Sequence, residues 1–283
     1  MTEPSYPTIG DIGEALEGWA PRDSAQDYDN VGLQVGDARR TVARALIALD
    51  LTPAVLDEAR RHDATLIITH HPLLFHPLRS VTADGFVSSL ALRLAESGIA
   101  LYSIHTNLDA APGGVSFALA EHLGLKETRF LDPFGPETGV DPGEQPQMGL
   151  GALGRLEAPM PLSGLLQRIA ERLQAGSLRY VGNLDATVET VAVCGGSGSS
   201  FTGLALRAGA DAYVTADVTY HRFFDVLDTD GRPRMALIDA GHYETEALTE
   251  SLLRDWLRRR FPTVDWRRTE TRTSPMETFV LEG

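Results

Sequence analysis

Strand-length apolar runs alternate with segments of helical period along nearly the whole chain, and few architectures accept that pattern. Val42 to Leu49 reads as a buried strand, and further strands are expected at Thr65–Thr69 and Ile99–Ile104. Between and after them the spacing predicts helices from Thr52 to about Arg61, from about Phe86 to Glu96, and from about Val115 to Leu123. Strands alternating with helices at this pitch argue an α/β fold with mostly parallel, doubly wound sheets. Local chemistry agrees with the alternation. Thr8 can cap a helix through Trp19, along which Ile9, Ile12, Leu16 and Trp19 fall at helical spacing. Thr52 is a good N-cap and Pro53 suits the first helical position.

The stretch Leu131 to Gln147 holds Pro133, Pro136, Pro142 and Pro146 and is expected to be a loop at a lobe boundary. A second series follows. Helices are predicted at Leu162–Leu173, Ser199–Arg207, Tyr220–Leu227 and Glu244–Arg260, with strands at Thr187–Val193, Ala212–Thr215, Met235–Ile238 and Thr278–Leu281. The expected organisation is a first α/β lobe over residues 1–130 and a second over 131–283, with 235–283 returning to the first lobe. A length of 283 residues suits two lobes, and 43% hydrophobic residues can bury a core.

Charge and cysteine content narrow the chemistry. There are 39 Asp+Glu against 25 Lys+Arg, a net charge of −14, which argues against general nucleic-acid binding because phosphate neutralisation needs clustered cations. Only Lys126 among the cations is a lysine. The single cysteine, Cys194, excludes an intramolecular disulfide framework and thiolate-rich metal sites. A metal in this protein must therefore be held by histidine and carboxylate. Residues 1–20 lack a basic start and an apolar core, and the apolar runs are too short to span a bilayer. The expectation is a cytoplasmic protein with no membrane partner.

The eight histidines are thinly spread, yet several follow predicted strands directly. Thr65–Thr69 runs into His70-His71-Pro72, Ile99–Ile104 into His105-Thr-Asn-Leu-Asp109, and Met235–Ile238 into Asp239-Ala-Gly-His242-Tyr-Glu-Thr-Glu246. Ligands of open α/β sheets bind beyond the carboxyl ends of the strands. Imidazole and carboxylate suit zinc, iron, manganese and nickel alike. His242 and Glu246 are four apart and share a face if a helix starts there. Each cluster alone has an ordinary reading: a loop His-His pair, Asp109 as a helix cap, Glu246 as a solvated face. Three clusters at strand ends argue a binuclear site instead. His62, His76 and His122 have no such setting.

Taken as an ordered set, these motifs carry a resemblance. Asp29-Asn-Val-Gly-Leu-Gln-Val-Gly36, Ile68-Thr-His-His-Pro72, His105-Thr-Asn-Leu-Asp109, Cys194-Gly-Gly-Ser-Gly198, Thr215-Ala-Asp-Val-Thr-Tyr-His221 and Asp239-Ala-Gly-His-Tyr-Glu-Thr-Glu246 resemble the NIF3 family, often labelled GTP cyclohydrolase 1 type 2. The resemblance implies two α/β lobes with the metal site in the cleft at the strand ends. It implies two divalent ions per chain, held by His70, His71, Asp109, His242 and Glu246, with the glutamate bridging both. It also implies a toroidal homohexamer. The chain lacks the large central insertion of longer members, and Ala216 replaces the commoner glycine of the Thr-Gly-Asp form while Asp217 and His221 stay in place.

Paired metal ions are the usual arrangement for hydrolysis of phosphoesters, amides or ring C–N bonds. The expected function is hydrolysis of a nucleotide-like or phosphorylated small molecule, with GTP ring opening as the form that the family label suggests. His105 and His221 are the candidate proton shuttles, since imidazole titrates near neutrality. The alternative is a metal-binding regulatory or scaffold protein with no turnover. Cys194-Gly-Gly-Ser-Gly198 could offer main-chain N–H groups to an anion, or be only a tight turn; it lacks the standard nucleotide-loop patterns.

Overall fold

The computed structural model describes residues 5–134 and 148–279. In chain order the elements are α1 Ile9–Trp19, β1 Gly32–Val35, β2 Arg44–Ala48, α2 Pro53–Arg61, β3 Leu66–Thr69, α3 Phe86–Ser97, β4 Ala100–Ser103, α4 Thr106–Ala110, α5 Val115–Leu123, β5 Leu125–Pro133 and β6 Gly149–Pro161. There follow α6 Leu162–Leu173, β7 Arg179–Val181, β8 Thr187–Val193, α7 Thr202–Arg207, β9 Ala212–Thr215, β10 Ala236–Asp239, α8 His242–Glu246, α9 Thr249–Arg260 and β11 Asp265–Arg268. They fall into two compact units, residues 1–108 with 249–274 and residues 109–248 with 275–283. These divisions lie at other positions than 130 and 235, because α9 and β11 complete the first unit and α5 packs with β5 and β6 in the second.

The first unit holds a five-stranded sheet in the order β1-β4-β3-β2-β11. β11, β2, β3 and β4 are parallel, and β1 closes one edge antiparallel to β4. The caps act as their residues predict. Thr8 forms a capping box with Asp11, and Thr52 accepts from the Val55 amide with Pro53 at the helix start. Leu46, Ala48, Ile67 and Leu101 pack one sheet face against Val55, Leu56, Leu90 and Leu94 of α2 and α3. Each such large aliphatic side chain removed from water contributes roughly 1.5–3 kcal/mol. On α1 and α9, Trp19 and Trp256 stack with ring centroids 5.0 Å apart.

Register decides what this sheet displays. Ala48 is level with Thr69, and Thr69 with Ser103. A buried hydroxyl pair, Thr69 Oγ1 to Ser103 Oγ at 2.9 Å, ties β3 and β4 at that point. The segments after β2, β3 and β4, carrying Asp50, His70-His71 and His105, therefore leave the same sheet edge.

The second unit holds a six-stranded sheet in the order β5-β6-β8-β9-β10-β7. Alternate residues feed two cores. Val191, Val193, Ala212, Val214, Ala236 and Ile238 pack on one face with α5 and α6, while Ala192, Tyr213 and Leu237 pack on the other with Ala205 and Val226. Two covered faces explain the continuous apolar runs Val191–Val193, Ala212–Val214 and Ala236–Ile238. The ends are level here too: Val193 with Val214, and Thr215 with Asp239. Cys194, Asp217 and His242 consequently follow strands that end along one edge.

The α/β class holds, with particular departures from the sequence expectation. β8, β9 and β10 are parallel, but β5, β6 and β7 pair antiparallel, so the second sheet is mixed. The expected loop from Leu131 begins as strand through Pro133, and residues 135–147 lie outside the described residues. The single helix Glu244–Arg260 is two helices, α8 and α9. Thr278 and Phe279, the start of an expected closing strand, are irregular, and the remainder of that segment lies outside the described residues. Among the described residues no helix is long and apolar enough to cross a membrane.

Candidate metal centre

In the first unit three imidazoles converge. The rings of His70, His71 and His105 lie 5.1, 5.1 and 5.4 Å apart by centroid. Each offers one nitrogen such that all three ligand atoms fall within 4.8 Å of one another. His70 is fully buried, and its Nδ1 meets the main-chain carbonyl of Ile104 at 2.8 Å. A carbonyl can only accept, so Nδ1 donates and Nε2 carries the lone pair in the neutral imidazole. His71 Nδ1 lies 2.7 Å from Asp50 Oδ1, and His105 Nδ1 lies 2.9 Å from Asp29 Oδ1.

The Asp29 carboxylate also accepts from the Thr106 amide and hydroxyl. Burial raises its pKa, but the bonds from His105 and Thr106 outweigh that and hold the carboxyl well below the usual range. Asp29 heads the Asp29–Gly36 motif, whose other polar residues serve the same region. Asn30 Nδ2 donates to the Leu74 carbonyl, and the Leu74 amide donates to Gln34 Oε1. The loop that follows the His70-His71 pair is pinned by this motif.

In the second unit His242 opens α8 and Glu246 closes it, with Nε2 and Oε2 3.0 Å apart. His242 Nδ1 lies 2.7 Å from Asp217 Oδ2. Asp217 holds a left-handed backbone, φ 53°, directly after β9. Asp239 reaches both loops: it accepts from the Val218 amide at 3.1 Å and the Gly241 amide at 3.2 Å, and pairs with Arg179.

The Cys194–Gly198 turn packs against the same helix. Gly196 has φ 59°, and a Cβ there would lie 2.2 Å from Glu246 Oε1 and 3.2 Å from His242 Nε2. The Gly196 amide donates to Thr245 Oγ1 at 3.1 Å. The Gly196 amide is thus committed to α8, while the Gly198 amide donates to Thr215 Oγ1 and the Gly198 carbonyl accepts from the Tyr213 hydroxyl of β9. Cys194 is buried and its thiol is pushed up to about 12, first by burial and then by the nearby carboxylates of Asp109 and Glu246. Asp109 sits part-buried on α4.

The sequence-predicted ligands thus fall in two described groups, His70 and His71 with His105 in one unit, and Asp109, His242 and Glu246 in the other. His221 stands differently. It is exposed on the 3-10 turn Tyr220–Val226, its ring 5.3 Å from that of Tyr220. Missing from the sequence reading were the roles of Asp29, Asp50, Asp217 and Asp239. Asp29, Asp217 and Asp239 lie inside the motifs that carry the resemblance, and that was their only signal.

All four histidines therefore have Nδ1 fixed by a main-chain carbonyl or a carboxylate, the arrangement that aims Nε2 of metal-binding histidines. The donor set of imidazole nitrogens and carboxylate oxygens fits a divalent transition metal.

Residues 7–275 match the profile of DUF34/NIF3, NGG1p interacting factor 3. A GTP cyclohydrolase 1 type 2 homolog of Streptomyces coelicolor is 38% identical over 244 residues, covering 85% of this chain and 82% of that protein. The homolog of Clostridium perfringens is 34% identical over 238 residues, covering 84% and 86%. The crystal structure of a Bacillus cereus protein related to NIF3 superposes with TM-score 0.86 at 25% identity, covering 98% of this chain and all of that one. This chain, with its paired histidines after β3 and its His-x-x-x-Glu helix after β10, belongs to the DUF34/NIF3 family.

Proposed function

We propose that the protein is a metal-dependent hydrolase that binds two divalent ions through His70, His71, Asp109, His242 and Glu246 and acts on a nucleotide-like or phosphorylated small molecule. The observation that carries this reading is the common anchoring of His70, His71, His105 and His242 at Nδ1, which no purely structural role for four histidines demands. The name of the relatives, GTP cyclohydrolase 1 type 2 homolog, makes ring opening of GTP the first reaction to test. The family resemblance further supports self-association as a homohexamer, and the sequence supports a cytoplasmic location.

Bound divalent ions would acidify a water and offset developing oxyanion charge. The chain's own residues supply the rest. His105, its Nδ1 held by Asp29, is the candidate proton carrier, taking up a proton at Nε2 and returning it to a leaving group. His221, exposed on the turn Tyr220–Val226, is the alternative proton carrier.

The test is metal content of the purified full chain by mass spectrometry, then a screen of GTP and phosphoesters with and without chelator. Turnover that chelation abolishes, metal restores and Asp109→Ala removes is the expected result. Fewer than one ion per chain after reconstitution sinks the reading. Full metal occupancy without turnover on any substrate leaves a metal-binding scaffold in its place.

A further inference from the structure

Beyond β11 the chain reads Thr269-Glu-Thr271-Arg-Thr273, and all three hydroxyls donate to carboxylates of the first unit. Thr269 Oγ1 and Thr271 Oγ1 both reach Glu58 Oε2, at 2.5 and 3.0 Å, and the Glu270 amide reaches Glu58 Oε1 at 2.9 Å. The Thr269 amide donates to the Ile47 carbonyl of β2 at 2.8 Å. These bonds sew the segment onto α2 and β2. The third hydroxyl does something else: Thr273 Oγ1 donates to Asp50 Oδ2 at 2.7 Å.

Asp50 is the carboxylate that orients His71. Its Oδ1 meets His71 Nδ1 and its Oδ2 accepts from Thr273, so each oxygen has its own partner. The terminal torsion of an aspartate is soft, so each hydrogen bond to its oxygens narrows the carboxylate's rotation. The Asp50 side chain is 35% exposed, so water competes for Oδ2. Thr273, only 6% exposed, supplies a fixed donor there.

We infer that Thr273 is a positioning residue for His71, acting through Asp50. The inference rests on the reading of His71 as a metal ligand. Partners that orient a ligating histidine typically change metal affinity 10- to 100-fold when removed. Thr273 stands one bond further out, so the lower end of that range applies.

The experiment measures Zn²⁺ affinity of the full chain by competition with a chromophoric chelator, alongside thermal unfolding. Thr273→Val keeps the shape and removes the hydroxyl; it should weaken Zn²⁺ binding about tenfold. Thr273→Ser should restore it, and Thr273→Ala repeats the loss without a β-branched side chain. Thr271→Val, which loosens only the Glu58 bond, should lower the unfolding temperature and leave Zn²⁺ affinity unchanged. Wild-type affinity in Thr273→Val and Thr273→Ala, with His71→Ala impaired, overturns the inference alone. Equal losses in Thr271→Val and Thr273→Val overturn it too, since the segment would then act only through stability. Wild-type affinity in His71→Ala overturns the metal reading and the inference together.

Discussion

His242 Nδ1 and Asp217 Oδ2 meet at 2.7 Å across a backbone that Asp217 holds in the left-handed region, φ 53°. Aspartate and asparagine tolerate that conformation better than other residues with a side chain. The position therefore needs a short polar side chain twice over, for its backbone and for its imidazole partner. Asp217→Ala should weaken Zn²⁺ binding at His242 by about 10- to 100-fold. Asp217→Asn keeps an acceptor and the left-handed tolerance, and should lose less. Chelator competition on both variants checks the order, and equal losses would show that only the carboxylate charge matters.

Gly196 gives a sharper contrast. Both its φ of 59° and the 2.2 Å approach of a built Cβ to Glu246 Oε1 oppose a side chain. Gly209 has a similar φ, 74°, with nothing within 4 Å of its Cβ position. Left-handed strain alone costs roughly 1–2 kcal/mol, so Gly209→Ala should show about that loss and normal metal binding. Gly196→Ala adds displacement of Glu246, so it should lose more stability and also lose metal affinity. Chemical denaturation and Zn²⁺ titration of the two variants separate the terms, and equal behaviour would contradict the assigned cradle.

The sequence exposed the strand-end histidines because continuous apolar runs and well-formed caps, Thr8 with Asp11 and Thr52 with Pro53, locate the elements before them. It did not expose β5 and β6. Lys126, Glu127 and Arg129 make β5 polar, a register shift interrupts its pairing, and Gly149, Gly151 and Gly154 thin the apolar signal of β6. Nor could it expose the partners of the histidines. Asp29, Asp50 and Asp217 are three acids among 39, lying 76, 21 and 25 residues from the rings they hold. Thr273 is 223 residues from Asp50, and only the parallel return of β11 beside β2 brings it there.

Cys194 should be inert in the folded protein. Its thiol is buried and pushed up to about 12, so the thiolate that alkylating reagents attack is nearly absent at neutral pH. Iodoacetamide at pH 7.5 should leave the native chain unmodified and label it fully in guanidinium. Stoichiometric labelling of the native protein within minutes would show that the turn at Cys194–Gly198 opens readily, against its bonding to Thr245.

Glu250 makes stability depend on pH in an unusual direction. Burial, with the Asp50 and Glu58 carboxylates adding to it, outweighs the Leu49 amide and Arg268 and raises its pKa to about 7 from an ordinary 4.5. Between those values the native state holds a proton that the unfolded chain has released. Stability from this group is therefore intact below pH 4.5 and declines as pH rises to about 7, by up to about 3 kcal/mol in total. Glu250→Gln keeps an acceptor for the Leu49 amide, 3.1 Å away in the wild type, and removes the titration. The variant should gain unfolding temperature relative to wild type progressively from pH 4.5 to 7 and hold that margin above. Unfolding followed by circular dichroism across this range reads the difference directly. A margin that does not change with pH would mean that Glu250 is ionised in the native protein throughout, with Arg268 offsetting its burial.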